Sequence, residues 1–193
     1  HSEPLFTISS EYYFVVNQTP LTNSNIQAAV DSALNNGNSL DEYGGHISNW
    51  DVSQVTNMGN LFKNKTFNED ISGWNVSNVT IMNNMFSNAS SFNSSLNNWN
   101  VSKVTNMYAM FFQASSFNQS LNNWNTAKVT TMEYMFKGAE NFNQDLNSWT
   151  TSSLNNTTSM FQHAYKFNGA IGNWDTSEVK DMNNMFTAWT ADV

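Results

Sequence analysis

Three histidines, fifteen carboxylates and no cysteine are the groups with which this chain could do chemistry. His1, His46 and His163 show no spacing that would share a metal, and they read as solvated or edge side chains. An amino-terminal histidine can chelate copper through its amine and ring, but His1 is not taken as a metal site. Among the carboxylates, Glu69 and Asp70 are neighbours, Asp41 and Glu42 precede the regular part of the chain, and Asp51 and Asp175 fall far apart. A general acid and base must flank one bond within about 5 to 10 Å of each other, and nothing in this spacing provides such a pair. No glycine-rich phosphate cradle, serine nucleophile elbow or calcium loop appears either. The expectation is a protein that is not an enzyme, with no catalytic residues, no metal and no cofactor.

The charge excludes another class. Seven lysines, no arginine and a formal charge of −8 repel a phosphate backbone and lack the forked donor that reads guanine, so nucleic acid is not an expected partner. Only 11% of residues are charged, and the polarity comes from Asn, Ser and Thr. No apolar run has the length of a bilayer span and no charged-then-apolar leader precedes His1, so no direct membrane insertion is expected of this segment.

The elements that would carry such a surface follow from a repeat. Tryptophans fall at Trp50, Trp74, Trp99, Trp124, Trp149 and Trp174, a spacing of 24 residues once and 25 thereafter. Within a unit, Trp99 and Val101 sit two apart, the period of a strand, whereas Met107, Met110, Phe111 and Ala114 follow the i, i+3, i+4, i+7 pattern of a short helix or tight helical turns. A helix that short cannot bury its face alone, so the units are expected to stack as coils of an α/β solenoid, each with a short strand and a short helix or 3-10 turn. Phe67, Phe92, Phe117, Phe142 and Phe167 are each followed by Asn, read as a buried asparagine ladder at a bend. In the fifth coil Leu154, Asn155 and Thr157 depart from the pattern, and there the stack is expected to loosen or bulge.

Residues 1–49 are read as a cap and 50–193 as six coils, the last one clipped, forming one cooperative unit. In "TPLTNSNIQAAVDSALNNG", Thr22 or Ser24 would start an amphipathic helix, Ile26, Ala29, Val30, Ala33 and Leu34 would form its apolar face, and Gly37 would end it. Phe6 to Val16 has strand character, and Trp189 replaces the column of Ala89, Ala114, Ala139 and Ala164, as a carboxy-terminal lid would.

Two binding surfaces follow from the stacking. If Trp and Val of each strand face inward, Asn75, Asn100 and Asn125 align outward beside Asn98 and Asn123, an amide-rich face suited to an extended peptide or sugar chain. On the helical side Ile81, Tyr108, Phe112 and Tyr134 replace polar or small residues in adjacent coils and suggest an aromatic stripe for a partner. Asn-x-Ser triplets at Asn75, Asn88, Asn100 and Asn118 would place glycans on the first face if the protein were glycosylated.

The pattern W-[DN]-[VT]-S-x-V-T-x-M-x-x-M-F-x-x-A-x-x-F-N-x-x-[LI], led by "YGGHISNW", resembles the BspA-like family of bacterial and protist surface proteins, including the mycoplasma repeat domain of unknown function, over Leu21 to Phe186. The resemblance implies a leucine-rich-repeat-type solenoid at the cell surface or outside the cell, with adhesion to a host or neighbouring-cell protein or glycan and no catalytic residues. A structural spacer in a surface array is the second reading. An ice- or surface-binding solenoid, suggested by the column of Thr56, Thr80, Thr105 and Thr130, is a distant third. Oligomeric state is not readable.

Overall fold

The structure, a computed structural model, describes residues 19–188. The segment from Phe6 to Val16, His1 and Trp189 lie outside the described residues.

Helix α1 (Ile26–Asn35) follows a turn in which Thr22 N–H donates to Asn25 Oδ1 at 2.8 Å. Asn25, rather than Thr22 or Ser24, is the residue at its start, and no side chain caps the first turn. Ile26, Ala29, Val30 and Ala33 are buried in the common core. Beyond Gly37 and Asn38, both left-handed, strands β1 (Ser39–Leu40) and β2 (Gly45–His46) pair antiparallel around a 3-10 turn, Asp41–Tyr43. A second 3-10 turn, Ile47–Asn49, delivers the chain to Trp50.

From Trp50 onward the described residues contain no helix, no 3-10 turn and no strand longer than a single bridge, where the sequence suggested a short strand and a short helix or 3-10 turn in each unit. The reason is a left-handed residue every fourth position. Asn60, Asn84, Ala109, Tyr134, Ser159 and Asn184 have φ of 50 to 64°, and Asn64, Asn88, Gln113, Gly138 and His163 follow four residues later with φ of 54 to 71°. A right-handed helix cannot pass through such residues. They serve instead as the third residue of four-residue turns, as a type II turn requires. Met85 N–H donates to the Met82 carbonyl across Asn84, and Ala89 N–H to the Phe86 carbonyl across Asn88.

The alternate N–H groups that these turns leave over go to the following unit. Met82, Asn84, Phe86 and Asn88 donate to the carbonyls of Asn106, Tyr108, Met110 and Phe112 at 2.7 to 3.0 Å, and the same row recurs from unit to unit. Parallel bridges link Asn57, Ile81, Asn106, Thr131, Asn156 and Asp181. These lie beyond the Trp-x-Val pair whose alternation suggested a strand. The apolar spacing of consecutive turns and of a helix turn is alike, and only the left-handed positions separate them.

Side chains fill the space between units in three aromatic files. Phe62, Phe86, Phe111, Phe136, Phe161 and Phe186 stack at 5.4 to 5.6 Å between centroids, within 6° of parallel. Phe67, Phe92, Phe117, Phe142 and Phe167 form a second file at 5.8 to 6.0 Å, and Trp149 and Trp174 represent the third at 6.1 Å. Each buried indole also satisfies its own donor: Trp74, Trp99, Trp124 and Trp149 donate Nε1–H to the carbonyls of Ile47, Ile71, Leu96 and Leu121 at 2.9 to 3.0 Å. A tryptophan is therefore specified by both volume and hydrogen bond, which explains its regular return.

The fifth unit neither loosens nor bulges. Leu154 fills the place of Val, Thr157 sends its hydroxyl to the Asp181 carbonyl at 3.4 Å, and Asn156 bridges both Thr131 and Asp181. The departures leave another trace, since the buried polar side-chain atoms without a partner among the described residues, Thr158 Oγ1 and His163 Nδ1, both belong to this unit. The asparagine ladder forms, with Asn68, Asn93, Asn118 and Asn143 accepting the N–H of the next asparagine at 2.7 to 2.9 Å, but on the surface rather than buried.

Candidate binding surfaces

The amide face is assembled from turns. Asn75, Asn100 and Asn125 accept the N–H two residues on, from Ser77, Ser102 and Ala127 at 3.1 to 3.2 Å, and Asp51 and Asp175 do the same to Ser53 and Ser177. An Asx turn of this kind offers the backbone an alternative to a ladder, so these residues do not sit on a strand face as their alternation suggested. Their Oδ1 atoms are occupied and the Nδ2 groups remain to donate.

Asn98, Asn100, Asn123 and Asn125 nevertheless come together, lining a shallow cleft of about 300 Å³ with Asn97 and Trp99. Asn123 N–H donates to Asn97 Oδ1, which ties two units across the cleft, while the side chains of Asn98 and Asn123 make no hydrogen bond among the described residues. Asn75 stands in the same column one unit away and does not line the cleft.

The helical-side stripe needs correction. No helix carries it, and Ile81, Tyr108, Phe112 and Tyr134 fall in four different columns of the turn ribbon. Tyr108 and Tyr134 do meet, edge to face at 5.7 Å, and the Lys137 ammonium lies 5.1 Å over the Tyr134 ring. Burial, and then the neighbouring Glu133 carboxylate, push the Tyr134 hydroxyl above its ordinary pKa. Ile81 is a bridge residue, at the place where Asn57, Asn106, Thr131, Asn156 and Asp181 each accept an N–H two residues on. It has no acceptor to offer, and Asn83 N–H accordingly has no partner among the described residues.

The threonine column bonds along the stack, at the surface. Thr80, Thr105 and Thr130 donate their hydroxyls to the carbonyls of Thr56, Thr80 and Thr105 at 3.1 to 3.3 Å. Of the histidines, His46 approaches Glu69 at 3.6 Å and His163 is half-buried in the fifth unit, and no group of three potential metal ligands occurs among the described residues. No helix among them is long and apolar enough to cross a membrane.

Two further surfaces escaped the sequence reading. A cleft of about 320 Å³ surrounds Gly138, flagged only by a glycine in a column of Asn, Gln and His. An apolar hollow of about 180 Å³ on the last described unit, beside Trp174, Val179 and Met185, becomes visible only when the stack is built.

Residues 29–122 and 94–192 each match the family described as "Mycoplasma protein of unknown function, DUF285". No curated protein and no solved structure matches the chain.

Proposed function

The chain belongs to this mycoplasma repeat family of unknown function, and from that premise we propose that it is an extracellular or cell-surface recognition module that holds an extended peptide or glycan chain on a face built by its repeats. The observation that carries the proposal is the cleft of about 300 Å³ where Asn98, Asn100, Asn123 and Asn125 converge from successive units. Amides from adjoining units meet a polymer with similar donors at regular intervals, and the side chains of Asn98 and Asn123, which have no hydrogen-bond partner among the described residues, are free to serve it. With no charge in the cleft, the ligand is a neutral hydrogen-bonding polymer rather than a polyanion.

The architecture we propose is a solenoid of the leucine-rich-repeat type seen in BspA-like surface proteins, with residues 50–193 as one cooperative unit and 1–49 as its cap. Parallel bridges and the return of each column after one unit support it. Turn ribbons in place of helices distinguish this chain's units from the sequence expectation. A host or neighbouring-cell protein or glycan is the partner class, and no catalytic role is proposed. The spacer reading is favoured only by the even satisfaction of the ribbon, which would suit a stiff stalk.

The test is a glycan and matrix-protein binding screen of the wild type against Asn100→Ala/Asn125→Ala and Tyr108→Ala/Tyr134→Ala. Binding lost in the asparagine pair supports the amide cleft. Binding lost only in the tyrosine pair moves the site to the Tyr108–Tyr134 surface, and a wild type that binds nothing leaves the spacer.

A further inference from the structure

In the turn ribbon the second left-handed position of each unit carries a side chain in four cases, Asn64, Asn88, Gln113 and His163, and none in the fourth unit, where Gly138 stands. In the first two units these side chains bridge, Asn88 Nδ2 donating to Asn64 Oδ1 at 2.8 Å. Gly138 interrupts that line. It leaves a notch one unit wide between Gln113 and His163, whose backbones are two unit spacings apart, roughly 10 Å at the usual inter-strand distance.

The notch is a built cleft of about 320 Å³. Its floor is Gly138, where an added Cβ would lie 3.1 Å from Gln113 Cγ. One wall is aromatic, His163 and Tyr165 with centroids 5.9 Å apart, and Tyr165 is 58% exposed. The rim holds Lys137, braced over Tyr134, and Glu140. Behind them the backbone is already committed, since the Ser115 carbonyl accepts from Asn141 and the Glu140 carbonyl from Lys166. The side chains of Gln113, Lys137, Glu140 and Tyr165, by contrast, have no hydrogen-bond partner among the described residues.

We propose that this notch binds a single pyranose ring, as a site separate from the amide cleft. The volume is at the lower end for small-molecule sites, which suits one ring rather than a chain. A sugar presents an apolar ring face, matched by Tyr165, and a rim of hydroxyls that both donate and accept. Lys137 only donates, the ionised Glu140 only accepts and Gln113 does both, so the rim meets hydroxyls in either role. The opposite charges of Lys137 and Glu140 compensate each other, which favours a neutral sugar over an acidic one.

The test is an NMR titration of the full chain with methyl pyranosides of neutral, amino and acidic sugars, and with a tripeptide panel, up to tens of millimolar. A neutral pyranoside should shift the amides of Gly138, Lys137 and Tyr165. Gly138→Asn should abolish those shifts; Asn64 and Asn88 hold the same left-handed backbone in their own units, the flexible Gln113 side chain moves by a few tenths of an ångström to admit the new Cβ, and an unchanged thermal midpoint checks that the fold is kept. Tyr165→Ala, at an exposed position, should weaken binding at least tenfold. The notch assignment is overturned if no pyranoside shifts Gly138, if the shifts survive Gly138→Asn, or if only tripeptides or acidic sugars bind there. Sugars that shift only Asn98 to Asn125 would support the amide cleft and overturn the notch, so the two sites fail separately.

Discussion

In the first unit, side chains of the preceding segment take the hydrogen-bonding places that a neighbouring unit fills elsewhere, whereas the last described unit has its packing residues more exposed. Asn23 Oδ1 accepts the N–H groups of Thr56 and Asn57 at 2.9 and 3.1 Å, the place where Thr80 N–H finds the Thr56 carbonyl one unit later. Gln27 Nε2 donates to the Leu61 carbonyl at 3.3 Å, and Lys65 pairs with Asp31 of α1 at 2.7 Å. On the last unit, Met182 and Phe186 are 45% and 57% exposed, although Met82 and Phe86 of the second unit are fully buried. The N–H groups of Met182, Asn184 and Phe186 have no acceptor among the described residues. The repeat cannot close itself, because each unit's alternate N–H row points forward to the next one.

The largest expected effect breaks the difference between the interior and the last described unit. Phe111→Ala removes a fully buried ring from the middle of its file and should cost about 3 to 5 kcal/mol, while Phe186→Ala should cost under about 1 kcal/mol; urea unfolding measures both. Equal losses would mean that the last unit is covered as the others are. Next, Asn23→Ala removes the acceptor of two exposed backbone donors and should cost about 0.5 to 1.5 kcal/mol, with faster hydrogen exchange at Thr56 and Asn57 and none of that change at Asn183. Unaltered exchange at Thr56 would show that α1 seals the end by apolar contact alone.

A smaller gain is expected inside the stack. Ile81→Asn would supply the acceptor that its column provides elsewhere and should stabilise by up to about 1 kcal/mol, read as a higher thermal midpoint and slower exchange of Asn83. The smallest effect is one of pH. Hydrogen bonds from Ser53, Ser72 and Ser177 hold the carboxyls of Asp51, Asp70 and Asp175 below the usual range, and that of Asn183 does so for Asp181. A pKa lowered in the folded state gives stability that is present above the unfolded value of about 3.9 and is lost as pH falls through the folded value. The central units carry Asn75, Asn100 and Asn125 at the place of Asp51 and Asp175, and an amide does not titrate. Acid should therefore loosen the two ends before the centre, and Asp51→Asn with Asp175→Asn should flatten the fall in thermal midpoint below pH 4.

The packing columns were legible in the sequence because most of the buried Trp, Met and Phe meet their own copy in the next unit, so period and burial carry one message. Turn ribbons were not, since Met58, Leu61 and Phe62 are spaced as on a helix; the available signal was the Asn at Asn60, Asn64, Asn84 and Asn88, a residue that tolerates left-handed backbone. Asn98, Asn100, Asn123 and Asn125 could be grouped from register alone. Tyr108 and Tyr134 stand one column apart and meet only because the ribbon turns there, so neither their pairing nor the separation of Ile81 and Phe112 from them followed from register. The Gly138 notch depends on side chains from three units at once, which a single unit's pattern does not display.

The indole file has an optical consequence. Trp74 and Trp99, Trp124 and Trp149, and Trp149 and Trp174 lie 6.1 to 6.5 Å apart and within 6° of parallel. Transition dipoles held so close and so nearly aligned share their excitation, so the near-ultraviolet dichroism should carry a coupled signal that no isolated tryptophan gives. Its amplitude would count the units in register, and its disappearance would report the parting of a stack before the chain has lost its turns.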